Sequence, residues 1–339
     1  VTEQPDAEAL DMPPAASPDA PVGGTGRGGR RRKLAALSVV VGTVLALACL
    51  WFVGAQFARD WNRSKELLAN ARWAWLILAV PLALTGMTML GMVWRSVLAA
   101  LGTTVRRRQL FVWYQIGMLG KYIPGGIVQV VGRAELATRG GVPRSTAYNS
   151  VALSMGATYI CGALVSAILL PFALADRGSV GSIWWILLVI PIGLAALHPK
   201  VLGLLFRLAE KAFGGADDRQ VPSWGASVVL VARHAPGWLV NGLACWVCAL
   251  AFAPSAPIGT VVFAGIISWV GGFLVIFVPS GAGVREAMFV ALAAPVIGGP
   301  AAAATAIVSR LVFVLGDVLG ALLAVLVRQL TRRPPPLAP

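Results

Sequence analysis

Long apolar runs dominate this sequence, near 34–57, 73–94, 110–132, 146–174, 182–197, 224–252, 258–278, 281–298 and 300–327, with the charged residues gathered between them. Most of these runs approach the roughly 20 residues that a helix needs to cross a bilayer. Lipid offers no hydrogen-bond partner, so such runs must satisfy their backbone groups internally, as helices. Only 12% of the residues are charged, about half the share that a water-facing shell requires, and an ordinary soluble domain is excluded. The net charge of +14 does not point to nucleic acid, because no basic face remains once the apolar runs are removed. Lys and Arg instead collect in cytoplasmic loops and against the anionic inner leaflet of membrane proteins.

Three segments follow from this pattern. Residues 1–33, rich in Pro, Ala, Asp and Gly and ending in the basic run Arg27 to Lys33, read as a disordered cytoplasmic tail. The tail is not expected to be a signal peptide, since an acidic, Pro-rich stretch precedes its basic run and the apolar run that follows is long enough to stay in the bilayer. Residues 34–327 form the membrane domain, and 328–339 a basic, Pro-rich cytoplasmic tail.

The basic clusters at Arg27–Lys33, Arg106–Arg108, Arg133/Arg139/Arg144, Lys200/Arg207/Lys211 and Arg328/Arg332/Arg333 all belong on the cytoplasmic side under the positive-inside rule. The chain must then enter and leave on one side through 110–132, and from the other side through 258–278 with 281–298. This predicts an all-α, multi-pass membrane protein of about six full spans with two opposed, broken re-entrant hairpins and both termini cytoplasmic. Eight plain spans are the alternative. The loop 58–72, basic yet placed outside, fits the scheme least well.

Both hairpins break at Pro and Gly. The first reads Gly120-Lys-Tyr-Ile-Pro124-Gly125-Gly126, followed by Gly132-Arg133-Ala-Glu135, and the second Pro279-Ser-Gly281-Ala-Gly283-Val-Arg285-Glu286. Proline removes a helix donor and glycine permits close backbone approach. Paired interrupted segments in two halves of a membrane protein are the sequence signature of a substrate site at an inverted-repeat interface.

The ionisable residues in or near these segments are Lys121, Arg133, Glu135, Arg285 and Glu286, with Arg310 and Asp317 in the last run. Such residues are costly in lipid and face a cavity or a partner. An arginine fork beside a broken helix suits a phosphate oxyanion. We expect Lys121, Arg133 and Arg285 to hold the phosphate, Glu135 and Glu286 to modulate the neighbouring arginines, and Arg310 to pair with Glu286. The competing expectation places Arg133–Glu135 and Arg285–Glu286 in interfacial ion-pair networks that only fix the hairpins.

Cys49, Cys161, Cys245 and Cys248 sit inside apolar runs, so a disulfide framework is not expected, and nothing completes a metal or redox site around Cys245-Trp-Val-Cys248. Arg233-His234 is read as the end of an interfacial helix, with the span proper beginning at Gly237. The loops carry no catalytic motif, so neither an enzyme nor a cofactor is expected.

At Gly120-Lys-Tyr-Ile-Pro-Gly-Gly126, Gly132-Arg133 and Val278-Pro-Ser-Gly-Ala-Gly-Val-Arg-Glu286, the sequence resembles the lysylphosphatidylglycerol synthase transmembrane-region family, over residues 34–327. The resemblance implies a flippase-like domain of the bacterial inner membrane; in the best-known members it moves aminoacylated phosphatidylglycerol. Synthesis in that family resides in a separate soluble domain, for which these 339 residues leave no room. Members also occur alongside glycosyltransferases, which implies either a phospholipid or a polyprenyl-phosphate-linked intermediate as substrate. The alternative role is a non-transporting scaffold or partner of an envelope glycosyltransferase or lipid-modifying enzyme.

Overall fold

Two of the longest apolar runs, 146–174 and 300–327, become the longest helices of the computed structural model, which describes residues 71–122, 127–176, 223–275 and 281–330 and positions 66, 69, 70, 191, 195, 198 and 200. The runs 34–57 and 182–197, the tail 1–33 and the breaks at Pro124, Gly125, Gly126 and Pro279 lie outside the described residues or nearly so. In chain order the helices are α1 (Trp73–Ala100), α2 (Arg107–Met118), α3 (Ile127–Arg139), α4 (Arg144–Ala175), α5 (Trp224–Ala232), α6 (Ala235–Leu250), α7 (Ile258–Leu274), α8 (Val284–Ile297) and α9 (Gly299–Leu330). A 3-10 turn, Leu119–Tyr122, extends α2. No strand occurs among the described residues.

Among the described residues, four segments are long and apolar enough to cross a membrane: α1, α4, α5 with α6, and α9. At about 1.5 Å per residue a 28-residue helix such as α1 is roughly 42 Å long, more than the ~30 Å hydrocarbon core. Its one charge, Arg95, lies exposed near the C-terminal end and donates from Nε to the Val105 carbonyl at 2.9 Å. The chain is a multi-pass, all-α membrane protein. Between α5 and α6 the helix breaks at Arg233–His234, ahead of Pro236, so α6 begins at Ala235 rather than at Gly237. Cys245 and Cys248, one turn apart, are buried free thiols, and Gly265 of α7 packs against Cys245.

The two Pro/Gly-broken segments both fold as antiparallel helix pairs. In the first, α2 and α3 approach with Trp113 opposite Gly140, Gly117 opposite Arg133 and Gly120 opposite Gln129. In the second, α7 and α8 approach with Gly271 opposite Met288, and Gly272 opposite Gly281 and Arg285. Small residues at these crossings let the backbones come close, as between helices in lipid.

The order helix, hairpin, helix thus occurs twice: α1, α2–α3, α4, and then α6, α7–α8, α9. Packing follows the same correspondence. The pairs α1–α2, α3–α4, α1–α4 and α4–α7 have counterparts in α6–α7, α8–α9, α6–α9 and α9–α2. The equivalent helices α1 and α6 meet at the centre and run antiparallel. Arg72 N–H donates to the Ala251 carbonyl at 3.2 Å, Gly86 faces Asn241, Gly237 faces Leu90, and Arg233 donates to Ser96 Oγ at 2.8 Å. Equivalent elements running in opposite directions are the packing pattern of an inverted repeat.

Candidate functional site

Each hairpin delivers its charged residues to a different environment. Helix α2 buries Leu110, Trp113, Tyr114, Gln115 and Met118, and α3 returns over it with Arg133, Ala134 and Ala137 facing inward. Arg133 is 5% exposed. Its guanidinium lies over the Tyr114 ring, 4.5 Å from the centroid, and against the Met118 thioether, while its Nε has no partner. The basic cluster Arg133/Arg139/Arg144, grouped by the positive-inside rule, is spread over two helices, α3 and the start of α4. Helix α3 continues to Arg139, and Arg133 belongs to its buried face.

Glu135 does not reach Arg133. Positions two apart on a helix point in different directions, and Glu135 turns outward to accept hydrogen bonds from Tyr148 Oη (2.9 Å) and pair with Arg144 Nη2 (3.0 Å) on α4. The expected role of Glu135 beside Arg133 is thereby corrected. The same geometry separates Arg285 from Glu286. Glu286 Oε2 accepts from the Gly283 N–H at 2.6 Å, holding the first turn of α8, and Oε1 pairs with Arg310 of α9. The Glu286–Arg310 pairing is the one the sequence suggested, whereas an Arg285–Glu286 ion pair is absent among the described residues.

Arg285 instead stacks on Trp269 of α7, with its guanidinium carbon 3.5 Å from the ring centroid, and lies near Phe313 of α9. Lys121, at the end of the first hairpin's outgoing arm, pairs through Nζ with Asp317 Oδ2 at 2.5 Å. Tyr122 Oη donates to the same oxygen at 2.5 Å, and Asp317 Oδ1 accepts no hydrogen bond. Lys121 is thus already engaged by a carboxylate, unlike Arg133 and Arg285.

Beside the first hairpin lies a pocket whose walls include Tyr114, Gln129, Arg133, Tyr159 and Trp238, with Trp269 as the second hairpin's contribution. Trp269 joins the parts. It borders the pocket with Arg133, carries Arg285 on its face, sits 5.5 Å from Lys121 Nζ, and meets Phe313 edge-on at 5.1 Å. Its own Nε1–H is buried without a partner. Of the predicted site residues, Arg133 lines this pocket, Lys121 and Arg285 lie against the Trp269 ring, Glu286 and Arg310 pair with each other across α8 and α9, and Glu135 goes to the outer end of α3. Gly281 and Gly283 hold positive φ (64° and 81°) at the entry to α8, which explains glycine at both positions.

Sequence reasoning missed the aromatic lining. Tyr114, Tyr122 and Trp269 resemble ordinary apolar-run residues, and only the packing reveals that each faces a cation. The one available signal was the adjacency of Tyr122 to Lys121.

The charge balance of the interior is uneven. Among the described residues, buried Lys121 and Arg133 and partly buried Arg285 and Arg310 stand against two carboxylates, Glu286 and Asp317, an excess of two positive charges, with no ion pair described for Arg133 or Arg285. Arginine cannot shed its proton, and an unpaired buried charge is costly. The arrangement can therefore receive an anion between the two hairpins.

A family model, the lysylphosphatidylglycerol synthase TM region, matches residues 39–320. The chain belongs to this family. No curated protein matches the chain. The family match takes in both hairpins, all the cations of the candidate site and both repeats apart from the last ten described residues of α9.

Proposed function

We propose that this member of the family carries an anionic, phosphate-bearing lipid across the bacterial inner membrane. The observation that carries the reading is the pair of arginines without carboxylate partners, Arg133 on the Tyr114 ring in the pocket wall and Arg285 on the ring of Trp269, which borders the same pocket. Guanidinium forks bind phosphate oxygens with strong, charge-assisted hydrogen bonds. The inverted pairing of the two halves supports alternating exposure, in which one half rocks against the other around a fixed site.

In this reading the hairpins re-enter from opposite sides, both termini are cytoplasmic, and the lipid headgroup occupies the pocket while its chains stay in the bilayer. Arg133 and Arg285 hold the phosphate. Lys121 keeps the first hairpin docked on α9 through Asp317 and gives a third cation within reach. The pocket is a binding site and no bond is made or broken in it, so the protein acts as a carrier rather than an enzyme. Its partners are anionic lipids and the envelope enzyme that makes or uses them.

The test is translocation of a fluorescent phosphate-bearing lipid in proteoliposomes. Arg285→Ala is expected to abolish transport while the protein still inserts and runs monodisperse, because only the unpaired guanidinium is lost. Undiminished transport by a folded Arg285→Ala protein would overturn the assignment and favour the scaffold role.

A further inference from the structure

The lipid's charge can be narrowed from the charge of the site, on the condition that the translocation reading identifies the right pocket. We infer that the site is built for a phosphate group carrying two negative charges, as in a phosphomonoester or diphosphate lipid such as a polyprenyl phosphate, rather than for a singly charged phosphodiester or an amine-bearing headgroup.

Three observations converge. First, both interior carboxylates are occupied. Asp317 holds Lys121 and Tyr122, and Glu286 holds Arg310 and the Gly283 N–H. The remaining excess is two positive charges, which a dianion neutralises and a monoanion leaves half-met. Second, those two charges come from opposite hairpins: Arg133 lines the pocket that Trp269 borders, and Arg285 lies on the Trp269 ring. A terminal phosphate with three free oxygens can accept from two guanidinium groups and from Trp269 Nε1–H at once. A phosphodiester, with two free oxygens, serves fewer of them. The orphaned Arg133 Nε and Trp269 Nε1 are the donors waiting for such acceptors. Third, no carboxylate among the pocket walls is free to receive an ammonium group, and the Tyr114 ring face is taken by Arg133, as the Trp269 face is by Arg285. A cationic headgroup would meet two unscreened arginines.

Because the second proton of a phosphomonoester leaves near pH ~6, the preference should itself depend on pH. The charged and titratable groups around the site are Lys121 and Tyr122 of the 3-10 turn, Tyr114 of α2, Arg133 of α3, Tyr159 of α4, Arg285 and Glu286 of α8, and Arg310 and Asp317 of α9. They are common to every ligand, so a phosphodiester measured in parallel cancels their titration.

The experiment is native mass spectrometry of the full chain in mild detergent, titrated with phosphatidic acid, polyprenyl phosphate, phosphatidylglycerol, phosphatidylethanolamine and inorganic phosphate, at pH 5.5 and pH 8. At pH 8 the two monoesters should bind about tenfold or more tighter than phosphatidylglycerol, with the ratio shrinking several-fold at pH 5.5. Arg133→Gln and Arg285→Gln should each erase the difference while thermal unfolding stays unchanged. Equal binding of phosphatidylglycerol and phosphatidic acid at both pH values would overturn the dianion inference and leave the anionic carrier standing. Equal binding of phosphatidylethanolamine and all the anions would overturn both. Competition by inorganic phosphate as strong as by the lipid monoesters would replace the lipid with a soluble phosphate.

Discussion

The two hairpins share a plan yet distribute charge in opposite ways. Each is fastened to the same helix, α9, by a buried ion pair of reversed polarity. The first hairpin contributes the cation, Lys121, to Asp317, whereas the second contributes the anion, Glu286, to Arg310. Each also keeps one arginine off that fastening and on an aromatic ring, Arg133 on Tyr114 and Arg285 on Trp269. The difference teaches that a matching motif can separate two jobs. In both copies the carboxylate pairs within the fold while the arginine lies on an aromatic ring, although Glu286 pairs in the core and Glu135 at the periphery.

The largest effect should come from breaking the first fastening. Asp317→Asn leaves Lys121 buried without a counter-charge and should cost about 3–5 kcal/mol, seen as a large loss of thermal stability in detergent. The double variant Lys121→Met/Asp317→Leu should recover most of it. Glu286→Gln should cost somewhat less, about 2–3 kcal/mol, because Arg310 is a quarter exposed and can find other acceptors. If Glu286→Gln proved the more damaging of the two, the ranking of the fastenings would be reversed.

Backbone geometry gives the next effect. Gly281 has φ 64° and its missing Cβ would lie 2.8 Å from the Gly272 backbone, so Gly281→Ala should destabilise by about 1–3 kcal/mol or more. Gly132 has open space and ordinary helical backbone, so Gly132→Ala should be neutral or slightly stabilising. The smallest loss among the ion-pair variants belongs to Glu135. Its partner Arg144 is 72% exposed, and Glu135→Gln should cost under about 1 kcal/mol. A loss as large as that of Glu286→Gln would contradict the contrast between the hairpins.

Much of this organisation is legible in the chain. Hydropathy located α1, α4 and α9 to within a few residues, because a lipid-facing helix has no polar alternative. The pairing of Glu286 with Arg310 followed from the need of each for a partner. Arg133 was harder. From sequence it read either as a phosphate ligand or as a member of an interfacial ion-pair network, and the amphipathic face of α3, with Ala134 and Ala137 beside it, takes it inward. The partners of Lys121 were not legible at all, since Asp317 comes from the other repeat and helix registry between repeats leaves no local pattern. The same holds for Trp269, whose place beneath Arg285 is set by how α7 and α8 cross at Gly272.

The central claim is that the two hairpins re-enter from opposite sides and meet at one site. The direct measurement is labelling of single cysteines along 118–135 and 275–290, in an otherwise cysteine-free protein, with a membrane-impermeant thiol reagent applied to either side of the membrane. The account predicts that the first series is reached from one side and the second from the other, with both series protected by a bound phosphate lipid. Labelling of both series from the same side, or of the two arms of one hairpin from opposite sides, would contradict it.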